Sequence, residues 1–204
     1  MLACAVHGVN ADIRALADDF GAQGFIAAAP DLFWRSIAGP LPHGDSRAAQ
    51  RSQPRLQCLR AGESDMADTL AYLRTIESFN GQALAMGFCY GGPYAILGPK
   101  RLGYAAGISC HGTQMLDFAG ELEGVDKPVC VIWGDQDHLA AAEVINAYRD
   151  LSSTMSNLEI TMVAGAVHGF MMRSRQRVFH AGAHELAIGR TLAILRNLSG
   201  RATA

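Results

Sequence analysis

The stretch Gln82–Gly92, with the sequence QALAMGFCYGG, decides the fold of this chain. An apolar run leads into a turn where Cys89 is flanked by glycines two positions away on either side, and a helical pattern follows from about 92 to 100. A nucleophile at a sharp strand-to-helix turn has a strained backbone, so its neighbours must be small to avoid clashes. The stretch therefore predicts a buried strand, a tight turn that presents Cys89, and a helix.

Cys89 also has a simpler interpretation as a packing residue, because cysteine is among the most buried residue types. Packing suffices for the four other cysteines, Cys4, Cys58, Cys110 and Cys130. It does not explain why Cys89 needs flanking glycines, so we favour the nucleophile. An odd number of scattered cysteines does not form a disulfide framework, and we expect reduced thiols in a cytoplasmic protein.

Working outward from this stretch, short apolar runs alternate with helical patterns along the whole chain. Near-continuous apolar strands that alternate with helices indicate an α/β fold, a mostly parallel sheet covered by helices on both faces. We find no internal repeat or linker, so residues 1–204 are predicted to form a single domain. The predicted strands lie at 2–6, 25–29, 82–86, 104–110, 129–133 and 158–163, and the longer helices at about 10–20, 63–78, 140–151 and 179–198.

The composition excludes several classes of protein. Half of the chain is hydrophobic and 18% is charged, which is incompatible with a disordered chain. Seventeen basic against nineteen acidic side chains leave no basic excess, so a nucleic-acid partner is not expected. No apolar run approaches the ~20 residues of a membrane-spanning helix, and no secretory signal is visible at the amino terminus.

A nucleophile at such a turn works with a carboxylate and then a histidine, each in a loop after a later strand. Asp135 and Asp137 both follow one strand, and His168 follows the next. His168 would act as general base and acid, and the carboxylate would fix its tautomer and support the imidazolium. One loop position separates the two aspartates, and spacing alone does not choose between them.

Other polar residues have competing interpretations. His180 and His184 are four apart on a predicted helix, but no third ligand is near them, so no metal site is predicted. Four arginines could form an anion-binding edge or simply a solvated helix face. These are Arg47, Arg51, Arg55 and Arg60.

Together these motifs resemble the dienelactone hydrolase family of α/β-hydrolases. The resemblance implies an α/β-hydrolase fold and hydrolysis of a small-molecule ester or lactone through an acyl-cysteine, without a metal or organic cofactor. It also implies the triad Cys89, Asp137 and His168, which selects Asp137 over Asp135. The matching segments are GVN at 8–10, PDLFWR at 30–35, GFCYG at 87–91, GDQDH at 134–138 and HGF at 168–170.

The same resemblance implies which groups bind the substrate. The oxyanion would be held by the backbone N–H of Tyr90 and by a second N–H at either Val6 or His7. The residues expected to contact the substrate are Trp34, Arg35, Phe170 and Arg173.

Two positions depart from the family pattern. Ala5 stands where relatives carry a glutamate that holds the resting thiol. Our hypothesis is therefore that Cys89 rests as a thiolate paired with a His168 imidazolium. Met172 stands where relatives carry a substrate-binding arginine, which predicts a more apolar pocket.

The sequence also lacks the two antiparallel strands that open the sheet in the family. Without them the predicted strand at 25–29 would be an unpaired apolar edge, which proteins normally cover. We expect either an upstream segment or a second copy of the chain, a homodimer, to cover it. These departures also support an alternative function, a catalytically weak family member that acts as a binding or dimeric interaction protein.

Overall fold

The computed structural model describes residues 1–201 and contains a five-stranded, entirely parallel sheet. The strands follow one another in space in the same order as in the sequence. Buried, near-continuous apolar strands are typical of a parallel sheet covered on both faces. The strands are β1 (Leu2–Ala3), β2 (Leu84–Phe88), β3 (Ala106–Cys110), β4 (Val129–Gly134) and β5 (Leu158–Val163).

Helices connect the strands and cover both faces of the sheet. They are α1 (Ala11–Ala22), α2 (Arg47–Gln50), α3 (Arg55–Leu73), α4 (Tyr94–Leu97), α5 (Ala142–Thr154) and α6 (Ala181–Arg201). Thr191 of α6 contacts the Met86 sulfur, whereas Gly98, at the end of α4, packs close to the neighbouring Ala85 side chain. Because successive side chains of a strand point to opposite faces, α6 and α4 lie on opposite sides of β2.

The sequence-based prediction of a strand at 25–29 is wrong. This segment runs beside β1, but the main-chain hydrogen bond between them is a single one, from Leu2 N–H to the Ala28 carbonyl (2.8 Å). A β-ladder needs repeated main-chain hydrogen bonds between two neighbouring segments, and β1 is only two residues long. The segment is therefore extended chain at the sheet edge, with Ile26 exposed.

Two predicted helices differ in their limits or form. α3 begins at Arg55, about two turns earlier than predicted, because its buried stripe continues backward from Met66 through Gly62 to Leu59. The segment after Cys89 is a succession of a 3₁₀ turn, the short α4 and a π turn that ends at Leu102. Within the described residues, no helix is both long and apolar enough to cross a membrane.

The carboxyl ends of neighbouring strands meet at one edge of the sheet. Cys89 follows β2, His111 follows β3, Asp137 lies shortly after β4 and His168 lies in the loop after β5. In open parallel sheets this edge is where ligands bind. The topology therefore brings four chemically capable side chains to a common site.

Candidate active site

The turn that carries Cys89 is strained and tightly packed. Cys89 has a φ of 51°, in the left-handed region that residues with a side chain rarely occupy. A Cβ on Gly87 would overlap the Gly91 carbonyl, and a Cβ on Gly91 would overlap the Ala3 carbonyl. The flanking glycines are thus required by close backbone approach, as the strand-to-helix turn predicts.

Asp137 and His168 are in direct contact. The His168 Nδ1 lies 2.9 Å from Asp137 Oδ2 and 3.1 Å from Oδ1, and the carboxylate is almost completely buried. The Leu139 N–H also donates to Asp137 Oδ1 (2.9 Å). The carboxylate therefore orients the imidazole with Nδ1 protonated and leaves Nε2 for another partner.

Asp135, the other carboxylate that spacing allowed, has a different contact. Its Oδ1 accepts a hydrogen bond from the Gly165 N–H (2.8 Å), and the residue is exposed. This bond connects the loop after β4 with the loop that carries His168. The structure thus places Asp137 in contact with His168, whereas Asp135 stabilises the neighbouring loop through its hydrogen bond with the Gly165 backbone.

The Cys89 thiol and the His168 imidazole are close enough to act on each other electrostatically. Burial favours a neutral thiol, but the interaction with His168 and the Arg55 charge lower the pKa of Cys89 below its ordinary value. Burial likewise favours a neutral imidazole, but the hydrogen bond to Asp137 and the interaction with Cys89 raise the pKa of His168 to about 9. Both shifts favour a thiolate–imidazolium pair.

The residues predicted to bind an oxyanion lie on two loops beside Cys89. The backbone N–H of Tyr90 is near enough to the Cys89 sulfur to contribute to lowering the pKa of the thiol. Val6 and His7 lie in the loop after β1, where the Gly8 N–H donates to the Ala5 carbonyl (2.9 Å). The turn packs directly against the end of β1, because Gly91 touches the backbone there.

His111, which directly follows β3, lies against the triad. Its ring is 4.9 Å from that of His168 and 5.0 Å from that of Phe170, in both cases edge to face. His111 is buried, and neither ring nitrogen has a hydrogen-bond partner within the described residues. Burial, reinforced by the charge of His168, lowers the pKa of His111 well below its ordinary value, which keeps this neighbour neutral.

Trp34 and Arg35, predicted to contact the substrate, point toward α3 instead. Both donate to the Asp65 carboxylate, Trp34 through Nε1 (3.1 Å) and Arg35 through Nη1 (2.6 Å). Trp34 is 58% exposed and lines a shallow surface concavity. The neighbouring Phe33, by contrast, is buried with its ring 4.8 Å from that of Tyr90.

Arg173 and Phe170 have different surroundings, although both follow His168 in the same loop. Arg173 bonds to Asp19 (2.5 Å) and His184 (3.1 Å), on the side of α1 and α6. Phe170 is fully buried against His111, so it forms a wall beside the triad. Of the four predicted substrate-binding residues, the contacts of the described chain bring Phe170 alone to the triad.

Two arginines act electrostatically on groups at the site, and sequence reasoning named one of them, Arg55, without Arg175. Arg55 is hydrogen-bonded to the Thr113 hydroxyl, stacks over the Tyr90 ring at 5.1 Å and acts electrostatically on Cys89. Arg175 is close enough to disfavour protonation of His7 and His111. Neither arginine is paired with a carboxylate in the described chain. Arg55 is one of the four arginines that the sequence indicated as a possible anion-binding edge, but the direction of its side chain depends on the fold.

Comparisons with known proteins relate the chain to a single family. The model of the dienelactone hydrolase family matches residues 2–199. Carboxymethylenebutenolidases of Pseudomonas putida and Pseudomonas knackmussii are each 26% identical, over 98% of this chain and 86% of the relative. A Klebsiella pneumoniae structure assigned as a dienelactone hydrolase has a TM-score of 0.80, 19% identity and coverage of 94% of this chain and 83% of the other. A dienelactone hydrolase-like promiscuous phosphotriesterase from metagenomic libraries has a TM-score of 0.78, 20% identity and coverage of 97% and 84%.

The parallel sheet and the cysteine at its strand-to-helix turn define an α/β-hydrolase. The structural neighbours, at 20% identity or less, support the fold alone. The family match over nearly the whole chain is decisive, and the chain belongs to the dienelactone hydrolase family. It is accordingly a hydrolase of carboxylic ester or lactone bonds.

Proposed function

We propose that the chain hydrolyses its ester or lactone through an acyl-cysteine formed on Cys89, with His168 and Asp137 completing the triad. The observation that carries the proposal is the succession of Asp137, His168 and Cys89: Asp137 Oδ2 lies 2.9 Å from His168 Nδ1, and the same imidazole interacts with the Cys89 sulfur. A nucleophile, a base within reach of it and a group that orients the base are the requirements for acyl transfer.

In the proposed reaction the Cys89 thiolate attacks the carbonyl carbon. A C–S bond forms, and the carbonyl electron pair moves to oxygen, where backbone N–H groups stabilise it. Collapse breaks the ester C–O bond, and the leaving alkoxide takes a proton from the His168 imidazolium. Neutral His168 then removes a proton from water as the water attacks the thioester. Expulsion of the thiolate releases the acid and restores the thiolate–imidazolium pair.

The test compares turnover of p-nitrophenyl acetate by the wild type and by Cys89→Ala. We expect turnover to vanish in the variant, and an acid-quenched wild-type sample to contain an acetyl adduct on the Cys89 peptide. Cys58→Ala is the matched control, because Cys58 is the other thiol that is not fully buried, and it should retain turnover. Cys89-independent turnover would contradict the proposal.

The alternative, a catalytically weak binding or dimeric interaction protein, makes the opposite prediction. A folded wild type would show no Cys89-dependent turnover of any activated ester. The buried Asp137–His168 pair argues against this alternative, because a buried histidine–carboxylate contact is not required to stabilise this fold.

The surroundings of Cys89 support a substrate that carries a negative charge near the scissile bond. The Arg55 Nε is buried without a hydrogen-bond partner in the described chain. Arg175 adds a second cation near His7, and burial keeps the imidazoles of His7 and His111 neutral. Unpaired guanidinium groups bind carboxylates strongly, in a forked geometry. The more apolar pocket predicted from Met172 and this charge preference are both proposals about the same site.

The test of this charge preference compares a neutral p-nitrophenyl ester with a p-nitrophenyl hemiester of a dicarboxylic acid. We expect Arg55→Gln and Arg175→Gln each to lower kcat/KM for the hemiester about 10-fold or more, with a much smaller effect on the neutral ester. Arg190→Gln, which removes an exposed pair with Glu159, is the control. Equal losses on both esters would contradict the charge preference.

Two coarser expectations also belong to this proposal. A second copy of the chain is proposed to cover the edge at 25–29, since Ile26 is exposed there beside the two-residue β1. Light scattering should then give a dimer for the wild type and a monomer for Ile26→Lys.

A reducing, cytoplasmic environment is proposed because all five cysteines are free thiols and a thiolate nucleophile must stay reduced.

A further inference from the structure

Arg51 is a buried cation that the proposed mechanism does not use. It is 2% exposed and has no carboxylate partner within the described chain. Its guanidinium donates instead to three backbone carbonyls, from Nε to Val6 (2.9 Å) and from Nη1 to Ile37 (2.8 Å) and Gly39 (2.6 Å). A buried guanidinium is unfavourable unless it is hydrogen-bonded, so these contacts fix Arg51 and the loops it joins relative to each other.

The Val6 carbonyl held by Arg51 belongs to the loop that carries the candidate oxyanion donors. It shares a peptide plane with the His7 N–H, and in a planar trans peptide these two groups point in opposite directions. The preceding plane, which carries the Val6 N–H, is held through the Ala5 carbonyl by the Gly8 N–H. Each candidate N–H therefore belongs to a peptide plane whose carbonyl accepts a hydrogen bond. Arg51 donates one of these two hydrogen bonds, and the Gly8 N–H donates the other.

Arg51 also contacts the other side of the oxyanion site. Its guanidinium lies 4.3 Å from the centre of the Phe33 ring, and Phe33 packs against the ring of Tyr90. Gly8 has a φ of 74°, and a Cβ there would lie 2.7 Å from Arg51 Nη2. The guanidinium thus fits flat against the loop backbone, and it links that loop through Phe33 to the residue after the nucleophile.

We propose that Arg51 is a positioning residue for the oxyanion-binding loop 5–8. By holding the Val6 carbonyl, it aims the N–H groups of this loop at the carbonyl oxygen of the bound ester without touching the substrate. The inference rests on the proposed function, because it assigns Arg51 to the same acyl-transfer site. It holds whether the second donor is the Val6 or the His7 N–H, since both lie on this loop.

The test uses three measurements that depend differently on the oxyanion site. Ester turnover requires the site. Binding of an alkyl trifluoromethyl ketone also requires it, because the Cys89 thiolate adds to the ketone carbon and the electron pair moves to the ketone oxygen. Alkylation by iodoacetamide does not, because thiolate displaces iodide at a saturated carbon and no oxyanion forms. A role confined to overall stability would change all three together.

We expect Arg51→Lys and Arg51→Gln to lower kcat about 100-fold. We expect them to weaken binding of the trifluoromethyl ketone by a similar factor, as loss of an oxyanion donor does. KM and the alkylation rate with its pH profile should stay within about 2-fold of the wild type, because the Cys89–His168 pair is untouched. Arg47→Gln, which removes an exposed pair with Asp45 in the same segment, should leave all three measurements unchanged.

Parallel loss of turnover and alkylation, including loss through unfolding, would overturn the positioning role. Unchanged turnover and ketone affinity in both variants would overturn it as well. A wild type that turns over no ester but binds the ketone more tightly than the Arg51 variants would refute the proposed hydrolysis and leave the positioning role standing. A wild type that forms no ketone adduct would overturn both.

Discussion

Replacement of Asp137 by asparagine gives a sharp test of the triad, because only one of the two carboxylate oxygens also accepts a backbone N–H, and the other lies closer to His168. Oδ1 accepts the Leu139 N–H, and Oδ2 lies 2.9 Å from His168 Nδ1. Asparagine keeps one oxygen, and the Leu139 N–H retains it at the first position. The amide then places an N–H opposite His168 Nδ1, which favours the tautomer with Nδ1 unprotonated and Nε2 protonated. That tautomer does not accept the Cys89 proton.

The expected loss can be scaled from these contacts. In a serine triad the corresponding change lowers kcat by about 10⁴. A thiol ionises far more readily than a hydroxyl, so a cysteine depends less on its base, and we expect a loss of about 10³ in kcat/KM. This corresponds to about 4 kcal/mol of transition-state stabilisation. Loss of the imidazolium also raises the pKa of Cys89 toward its ordinary value.

The assay measures kcat/KM on an activated ester together with the pH dependence of iodoacetamide alkylation. Asp135→Asn is the matched control, because asparagine keeps an oxygen that accepts the Gly165 N–H, and its activity should stay within about 3-fold of the wild type. Near-wild-type activity of Asp137→Asn with an unshifted alkylation profile would refute the assignment. An Asp135→Asn loss as large as that of Asp137→Asn would refute the distinction between the two loop positions.

Three further outcomes are expected. Hydrolysis should rise with pH as Cys89 ionises, at a midpoint below that of free cysteine, and fall as the pH passes about 9, where His168 loses its proton; an alkylation midpoint at or above that of free cysteine would contradict this. Gly91→Ala should lower the free energy of unfolding by roughly 2–3 kcal/mol in denaturant titrations, because the new Cβ overlaps the Ala3 carbonyl. Arg173→Gln should leave ester kcat/KM within about 2-fold, because its contacts lie away from the triad, and a large rise in KM would restore it as a substrate-binding residue.

Much of the sheet could be predicted because its central strands are buried on both faces. Such strands are near-continuous apolar runs, and the sequence locates the run at 129–133 within one residue of the limits of β4. The segment at 25–29 has the same composition, yet it forms no ladder because its neighbour β1 offers only two residues for pairing. Composition indicates the tendency to form a strand, whereas pairing depends on what lies alongside.

Some residues of the candidate site could be predicted from the sequence, and others could not. Cys89 and His168 could be predicted because each must lie at a fixed place after its strand, whereas only the family resemblance selected Asp137 over Asp135. The arginines could not be sorted by sequence, because the direction of a long side chain depends on loops from distant parts of the chain. Arg51 turns inward to backbone carbonyls, Arg55 turns toward Tyr90, and Arg47 forms an exposed pair with Asp45.

The absence of a glutamate at Ala5 and the presence of Arg55 beside Cys89 have a joint consequence. With no carboxylate to hold the thiol neutral, His168 and Arg55 both stabilise the resting thiolate. A thiolate stabilised in this way is abundant but less nucleophilic, since nucleophilicity falls with the thiol pKa. An anionic substrate group bound to Arg55 would neutralise the arginine charge and so reduce its stabilisation of the Cys89 thiolate. The thiolate would then become more nucleophilic only when substrate is bound. The same arginine would thus restrain the resting nucleophile and select the substrate that activates it.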